Sequence, residues 1–326
     1  MCPDDQKNAV LGLPKIDFNA LHPDRPGCEG WAEVRAQVAD AVRTYGCFEA
    51  VYNKVTPELK EKVFGSVVKD MFNLPIEAKH RNVSNKPFHG YLGQIPNLSY
   101  ESLTIMHPHQ PDGVKAFADL MWPQASPATA TFCETVCGLS KLLVELDRMV
   151  GRMVLESFGV EKHYDSLMNT NKFMLRVSEY PAPDKDEEKK KLLGLVPHHD
   201  KNVITIVCQN QVDGLDIETQ DGQWIRAMPS PSSVIIFAGE AIRAWTNGRT
   251  YSPLHNVKVG GSETRYSTIM FSLPDDDFVI EPLPELVDES HPALFRPYTY
   301  GEFVRFCHFE GRDIKCPHDA FCRIAP

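Results

Sequence analysis

The run Pro197-His198-His199-Asp200 carries the side chains of this sequence best suited to chemistry. His198 and Asp200 stand two positions apart, so in extended backbone both leave the same face of a strand. His255, in the later segment SPLHNV, is a third candidate that a second strand can bring across a sheet. Two imidazoles and one carboxylate on one face of an octahedron leave three positions open, the arrangement that oxygen-activating iron(II) uses. The open positions accept a co-substrate and dioxygen.

Ten positions beyond His255 comes Arg265-Tyr266-Ser267, in a strand-like run where Arg265 and Ser267 share a face. A guanidinium beside a hydroxyl makes a good carboxylate clamp, and burying it is costly unless an anion arrives to pair with it. The natural guest is a small dicarboxylate. Three other classes compete. A zinc hydrolase with two histidines and one carboxylate usually carries a helical HExxH motif, which is absent. A catalytically silent module that binds a carboxylated metabolite would keep the clamp without turnover, and an iron(II) oxidase could keep the metal without a keto acid. His80, His89, His107, His109 and His308 have no partner spacing of this kind and read as loop residues.

The elements that must position these groups are legible in outline. LPKIDF (13–18) alternates as a short strand, and Trp31 to Thr44 repeats apolar residues at helical spacing, with Gly46 as its stop. GCFEAVYNKV reads as a strand. Thr56-Pro57 reads as an N-cap and first-turn proline for a second helix running to about Asn73. His80 to Met106, rich in Pro, Gly, Asn and Ser, reads as loop and short strand. The strongest helix spans Val136 to Met153, and the charged run DKDEEKKK (184–191) is a solvated loop. From Asn171 to Pro274 the pattern becomes FMLRVSEY, VITIVCQ, LDIETQ, SSVIIFAG and RYSTIMFSL, separated by turn residues. Short strands at that spacing imply an antiparallel sandwich or jelly roll. The expected division is a mixed helical region over 1–170, a β core over 171–275 and a C-terminal lid and helix over 276–326, in one compact unit of 326 residues.

Composition narrows the partners. With 42% hydrophobic and 24% charged residues and no long apolar stretch, a membrane-spanning role is not expected. A formal net charge of −10 with mixed signs offers no basic surface for phosphates, so nucleic acid is a poor candidate partner. The opening MCPDDQKNAV resembles neither a secretory signal nor a transit peptide, and nine cysteines without CxxC pairs suit a reducing compartment. A cytoplasmic monomer acting on a small molecule is expected.

The HxD, H and RxS order resembles that of the plant 2-oxoglutarate/Fe(II)-dependent dioxygenases, and the resemblance covers nearly the whole chain. LPKIDF, FNLPIEAK, GLDI and NGRTYSPLHNV support it. More narrowly, KPFHGYLGQIPN, HDKN, QNQVDGL and ELVDESHPALFRPY resemble the plant subgroup of glucosinolate side-chain (AOP-like) and steroidal-alkaloid hydroxylases. The resemblance implies a fold that is mainly β with flanking α-helices around a double-stranded β-helix (jelly roll). It implies that His198, Asp200 and His255 hold Fe(II), that Arg265 and Ser267 bind the distal carboxylate of 2-oxoglutarate, and that Tyr180 also contacts this co-substrate. Dioxygen would be consumed, with ascorbate in support, to hydroxylate, desaturate or cyclise a plant specialised metabolite or hormone. Phe88, Tyr91 and Glu101 in an N-terminal lid, and Phe271, match regions that flank the pocket in relatives. Two positions depart from the pattern: Ser178 stands where Asn is usual, and His199 where Thr is frequent. An intact Asp200 argues against halogenation, which needs that carboxylate missing.

Overall fold

The structure is a computed structural model that describes residues 12–96, 98–124, 127–182, 192–228, 230–260 and 262–325. The opening MCPDDQKNAV and the DKDEEKKK run lie outside the described residues.

Eleven strands build two sheets: β1 Lys15–Asp17, β2 Cys47–Val51, β3 Glu101–Met106, β4 Lys172–Tyr180, β5 Leu192–His198, β6 Ile204–Gln209, β7 Leu215–Glu218, β8 Trp224–Arg226, β9 Ser233–Ala238, β10 His255–Val259 and β11 Arg265–Leu273. The larger has the order β1-β2-β9-β6-β11-β4-β3 and the smaller β5-β10-β7-β8. All pairings are antiparallel except β1 with β2. The result is an open jelly roll with flanking helices, not a closed barrel. β1, β2 and β3 come from the N-terminal region, which therefore extends the core sheet itself.

Period-two patterning decides what each face of the larger sheet does. Ile204, Ile206 and Cys208 of β6, Phe173, Leu175 and Val177 of β4, and Val234 and Ile236 of β9 enter the core shared with the helices. That core includes Leu139, Leu143, Leu146, Val150 and Met153 of the helix Pro127–Ser157. Their sequence neighbours face the other way, towards the smaller sheet. There Ile235 and Phe237 join Leu215, Ile217, Val257 and Val259 in a second, smaller core. On β4, β6 and β11, by contrast, this inward face carries Arg176, Ser178, Thr205, Gln209, Arg265 and Ser267, all buried. Polar groups are so costly to bury that this concentration on one face marks where a polar guest belongs.

The local expectations hold where the signals are local. The first helix runs Trp31–Thr44, and Gly46 follows with φ 68°, its N–H donating to the Ala41 carbonyl at 3.0 Å. Thr56 caps the second helix through the Leu59 N–H at 3.1 Å. That helix continues to Phe72 through a widened π-helical segment, Lys62–Val67. A helix at Pro111–Met121 was not expected, nor were the short helix Glu240–Trp245 and strand β8.

Candidate active site

His198 ends β5 and His255 begins β10, and the two are direct partners in the antiparallel register. Asp200 follows just beyond β5, where its carbonyl accepts the Glu240 N–H at 2.7 Å. The HxD spacing, the strand end and the β5–β10 pairing together bring three side chains to one point. Their candidate ligand atoms all lie within 4.8 Å of one another. Asp200 Oδ1 is 3.7 Å from His198 Nε2, and Asp200 Oδ2 is 3.9 Å from His255 Nε2.

Each imidazole is oriented by its own backbone. His198 Nδ1 donates to the Val196 carbonyl at 2.9 Å and His255 Nδ1 to the Pro253 carbonyl at 3.2 Å. Both Nε2 lone pairs are thereby left facing Asp200, the tautomer a metal requires. Burial, reinforced by His255, pushes the His198 ring down to about 3, which keeps it neutral near pH 7. For Asp200 burial works upwards, but His255 and His198 outweigh it and hold the carboxyl below its ordinary value. Asp200 Oδ2 is buried with no hydrogen-bond partner. A carboxylate and two imidazoles whose Nε2 atoms face it fit a divalent metal that takes mixed nitrogen and oxygen ligands.

The clamp lies on the facing sheet. Arg265 opposes Tyr180 in register, and Ser267 lies between Ser178 and Gln209. Arg265 is 1% exposed, packs 4.9 Å over the Tyr180 ring and donates from Nη2 to Gln209 Oε1 at 2.7 Å. Its Nε and Nη1, with the hydroxyls of Ser267, Tyr180 and Ser178, have no partner. Burial lowers the Arg265 pKa and pushes Tyr180 up to about 12. Two nitrogens of a fixed cation and three hydroxyls near it, all left open, are what a carboxylate would satisfy. Gly194 of β5 lies against the Tyr180 ring, where an added Cβ would meet Cδ1 at 2.6 Å.

Both groups open on one cavity of about 810 Å³. Phe88 and Phe271 line it. Tyr91 and Glu101 do not: Glu101 opposes Glu179 on the outward face and pairs with Lys79 at 2.6 Å, while Tyr91 packs on His80 at 5.2 Å. Strand parity is the reason, because Ser102, not Glu101, shares a row with Ser178 and Ser267. His199 borders the cavity, but its Nδ1 is tied to the Ser252 carbonyl at 2.9 Å, as its alternation away from the ligands implies. Gln209, Tyr100 and Arg176 also line or brace the cavity and went unread in the sequence. The alternation of FMLRVSEY and VITIVCQ could have placed Arg176 and Gln209 inward once Tyr180 and Arg265 were chosen.

Fold and site together give a jelly-roll protein in which three candidate metal ligands face a candidate anion clamp. Comparison with known proteins gives the family. Residues 164–274 match the 2OG-Fe(II) oxygenase superfamily, and 13–125 match the N-terminal region described as non-haem dioxygenase in morphine synthesis. A probable 2-oxoglutarate-dependent dioxygenase of Arabidopsis thaliana, AOP1.2, is 44% identical over 93% of this chain and 92% of its own length. The rice dioxygenase for auxin oxidation superposes with a TM-score of 0.76 at 26% identity, covering 95% of this chain and 99% of its own. JOX2, solved with 2OG, Fe and JA, gives 0.75 at 26% identity, covering 97% and 90%. The chain belongs to the 2OG-Fe(II) oxygenase superfamily, close to the AOP-like plant dioxygenases, and is a 2-oxoglutarate-dependent dioxygenase that uses Fe(II).

Proposed function

We propose that His198, Asp200 and His255 hold the iron, that Arg265, Ser267 and Tyr180 bind the distal carboxylate of 2-oxoglutarate, and that the enzyme oxidises a small plant metabolite or hormone. One observation carries this assignment: the three candidate ligand atoms and the unpartnered donors of Arg265, Ser267 and Tyr180 belong to residues lining the same cavity. Iron(II) with 2-oxoglutarate and dioxygen supplies the oxidising power, releasing succinate and carbon dioxide.

The protein's own residues do the positioning. The Val196 and Pro253 carbonyls fix the two imidazoles before any metal arrives, which lowers the cost of assembling the site. Gln209 and the Tyr180 ring hold the Arg265 fork in one orientation, so the co-substrate enters with its keto-acid end towards the histidines. Phe88, Phe271, Leu195 and Val257 supply the apolar wall that excludes water from the target C–H bond. The relatives' printed names, auxin oxidation and a JA complex, support a hormone or specialised metabolite as substrate. Nine cysteines without CxxC pairs support placing the enzyme in the cytoplasm, as one compact unit; among the described residues no helix is long and apolar enough to cross a membrane.

A succinate-release screen with iron(II), ascorbate and fractionated plant metabolites tests this reading. Substrate-stimulated succinate that disappears in His198→Ala, with product mass identifying hydroxylation, desaturation or ring closure, is expected. Stimulated release that survives His198→Ala would overturn the ligand assignment.

A further inference from the structure

The inward face of β4 presents Tyr180, Ser178, Arg176 and Met174 in succession, and Arg176 lines the same cavity as the clamp. Arg176 is 7% exposed. Nη1 donates to Ser102 Oγ at 2.8 Å and to Tyr100 Oη at 3.5 Å, and Nη2 donates to the Phe88 carbonyl. Every one of these partners is neutral. Among the described residues no carboxylate pairs with Arg176, although ion pairs abound elsewhere, as between Lys86 and Asp276 at 2.6 Å on the cavity rim. A buried cation held only by dipoles pays for its lost hydration without a counter-charge.

The cavity is therefore lined by two buried arginines, Arg176 and Arg265, that have no carboxylate partner among the described residues. A 2-oxoglutarate molecule has two carboxylates, of which one meets Arg265 and the other belongs with the metal, so it offers nothing to Arg176. In register Arg176 stands level with Ile269 and Val207, between the clamp row at Ser267 and the row of Phe271 and Thr205. An anion at Arg176 thus lies beside the co-substrate, along the wall nearest Phe88, Leu92 and Phe271. Resting on the oxygenase reading above, we infer that Arg176 anchors the substrate and that the substrate is a largely apolar carboxylic acid. The three neutral hydrogen bonds orient the guanidinium in advance, and they couple it to Phe88, whose φ of 61° places the residue in the left-handed region. Arrival of the carboxylate supplies the missing counter-charge where the lid loop is tied down.

The test is a binding titration of the anaerobic Fe(II)–2-oxoglutarate enzyme, followed by perturbation of its visible charge-transfer band. Indole-3-acetate, phenylacetate and cinnamate are each titrated beside their methyl esters. At least one acid should bind saturably and at least about tenfold tighter than its ester, the worth of one charge-assisted contact. Arg176→Gln should weaken that acid by roughly 10- to 100-fold while 2-oxoglutarate affinity and ester binding move less than about twofold. Arg176→Lys should recover part of the loss, because a point charge replaces the fork incompletely. The inference is overturned if no acid binds, if acid and ester bind alike, or if Arg176→Gln weakens both equally, which is the signature of a residue that only pins Phe88. Loss of the band from the unsubstituted enzyme would instead remove the oxygenase reading, and this inference with it.

Discussion

Two buried clusters of histidine and carboxylate adjoin each other in this molecule. One is His198, Asp200 and His255; the other is Glu240, His318, Arg243 and Asp319. They touch where the Glu240 N–H meets the Asp200 carbonyl and where His199 Nδ1 lies 3.7 Å from Glu240 Oε1. In the second cluster no fully buried side-chain polar atom lacks a partner. His318 faces Glu240 through Nδ1 at 2.9 Å and Tyr298 Oη through Nε2 at 2.9 Å, and Arg243 Nη1 bridges Glu240 and Asp319 at 2.9 Å each. In the first, both Nε2 atoms and Asp200 Oδ2 face one another without a donor between them. Residue types alone would not separate the two. Unspent lone pairs converging on a cavity mark the reactive cluster, and a closed circuit of pairs marks the structural one.

Exchanging damage between the clusters gives the largest expected effects. His255→Ala should reduce turnover to background while changing the melting temperature by no more than the ~2–4 °C that about 1 kcal/mol produces. Glu240→Gln should do the reverse, destabilising by about 1–3 kcal/mol because its charge-assisted contacts with Arg243 and His318 are weakened while Asp319 still faces Arg243, with iron still bound one per chain. Thermal melts and metal analysis of both variants check the pair, and equal stability losses would erase the distinction.

The two arginine environments make a second contrast. Arg265→Lys should raise the 2-oxoglutarate requirement by roughly 10- to 100-fold, since a lysine cannot reproduce the fork. Arg226, already paired with Asp216 and with Asp213 at 3.1 Å, should tolerate the same change with little effect on that requirement. Steady-state titration of 2-oxoglutarate in both variants checks it.

Asp147 sharpens the comparison from another side. It is 2% exposed in the helix Pro127–Ser157, and its Oδ1 has no partner, yet no histidine stands with it. Burial pushes its carboxyl up to about 7. The folded state therefore holds this proton more tightly than the unfolded chain, so the associated stability is present below about pH 4 and is lost as pH rises through about 7. Asp147→Asn should flatten that part of the pH–stability profile, by a few kcal/mol at most, as denaturant melts between pH 4 and 8 would reveal. A profile unchanged by the substitution would show that Asp147 does not titrate in this window. The smallest effect belongs to Ser178→Ala, which should raise the 2-oxoglutarate requirement about two- to tenfold, the worth of one neutral hydrogen bond. No change in the same titration would leave Ser178 outside the co-substrate contacts.

Much of the geometry of the proposed site was legible because its signals are local or alternate simply. His198 and Asp200 share a face through their spacing alone, and Arg265 and Ser267 do the same. The pairing of β5 with β10 joins residues far apart in sequence, and nothing local announces it. Glu101 stands on the other face of β3 for a related reason: one step along a strand moves a side chain away from the cavity. The helix Pro111–Met121 did carry a signal, since Pro111 sits in its first turn and Val114, Phe117, Ala118 and Met121 follow at helical spacing. The Glu240 cluster could not be read, because its parts come from two short helices far apart in sequence, Glu240–Trp245 and Pro317–Cys322.

Anaerobic titration of iron(II) into the protein with saturating 2-oxoglutarate, comparing the unsubstituted chain with His255→Ala and Glu240→Gln, probes the reactive cluster most directly. The visible charge-transfer band should develop at one iron per chain in the unsubstituted protein and in Glu240→Gln, and fail to develop in His255→Ala. An undiminished band in His255→Ala would mean that the metal sits elsewhere.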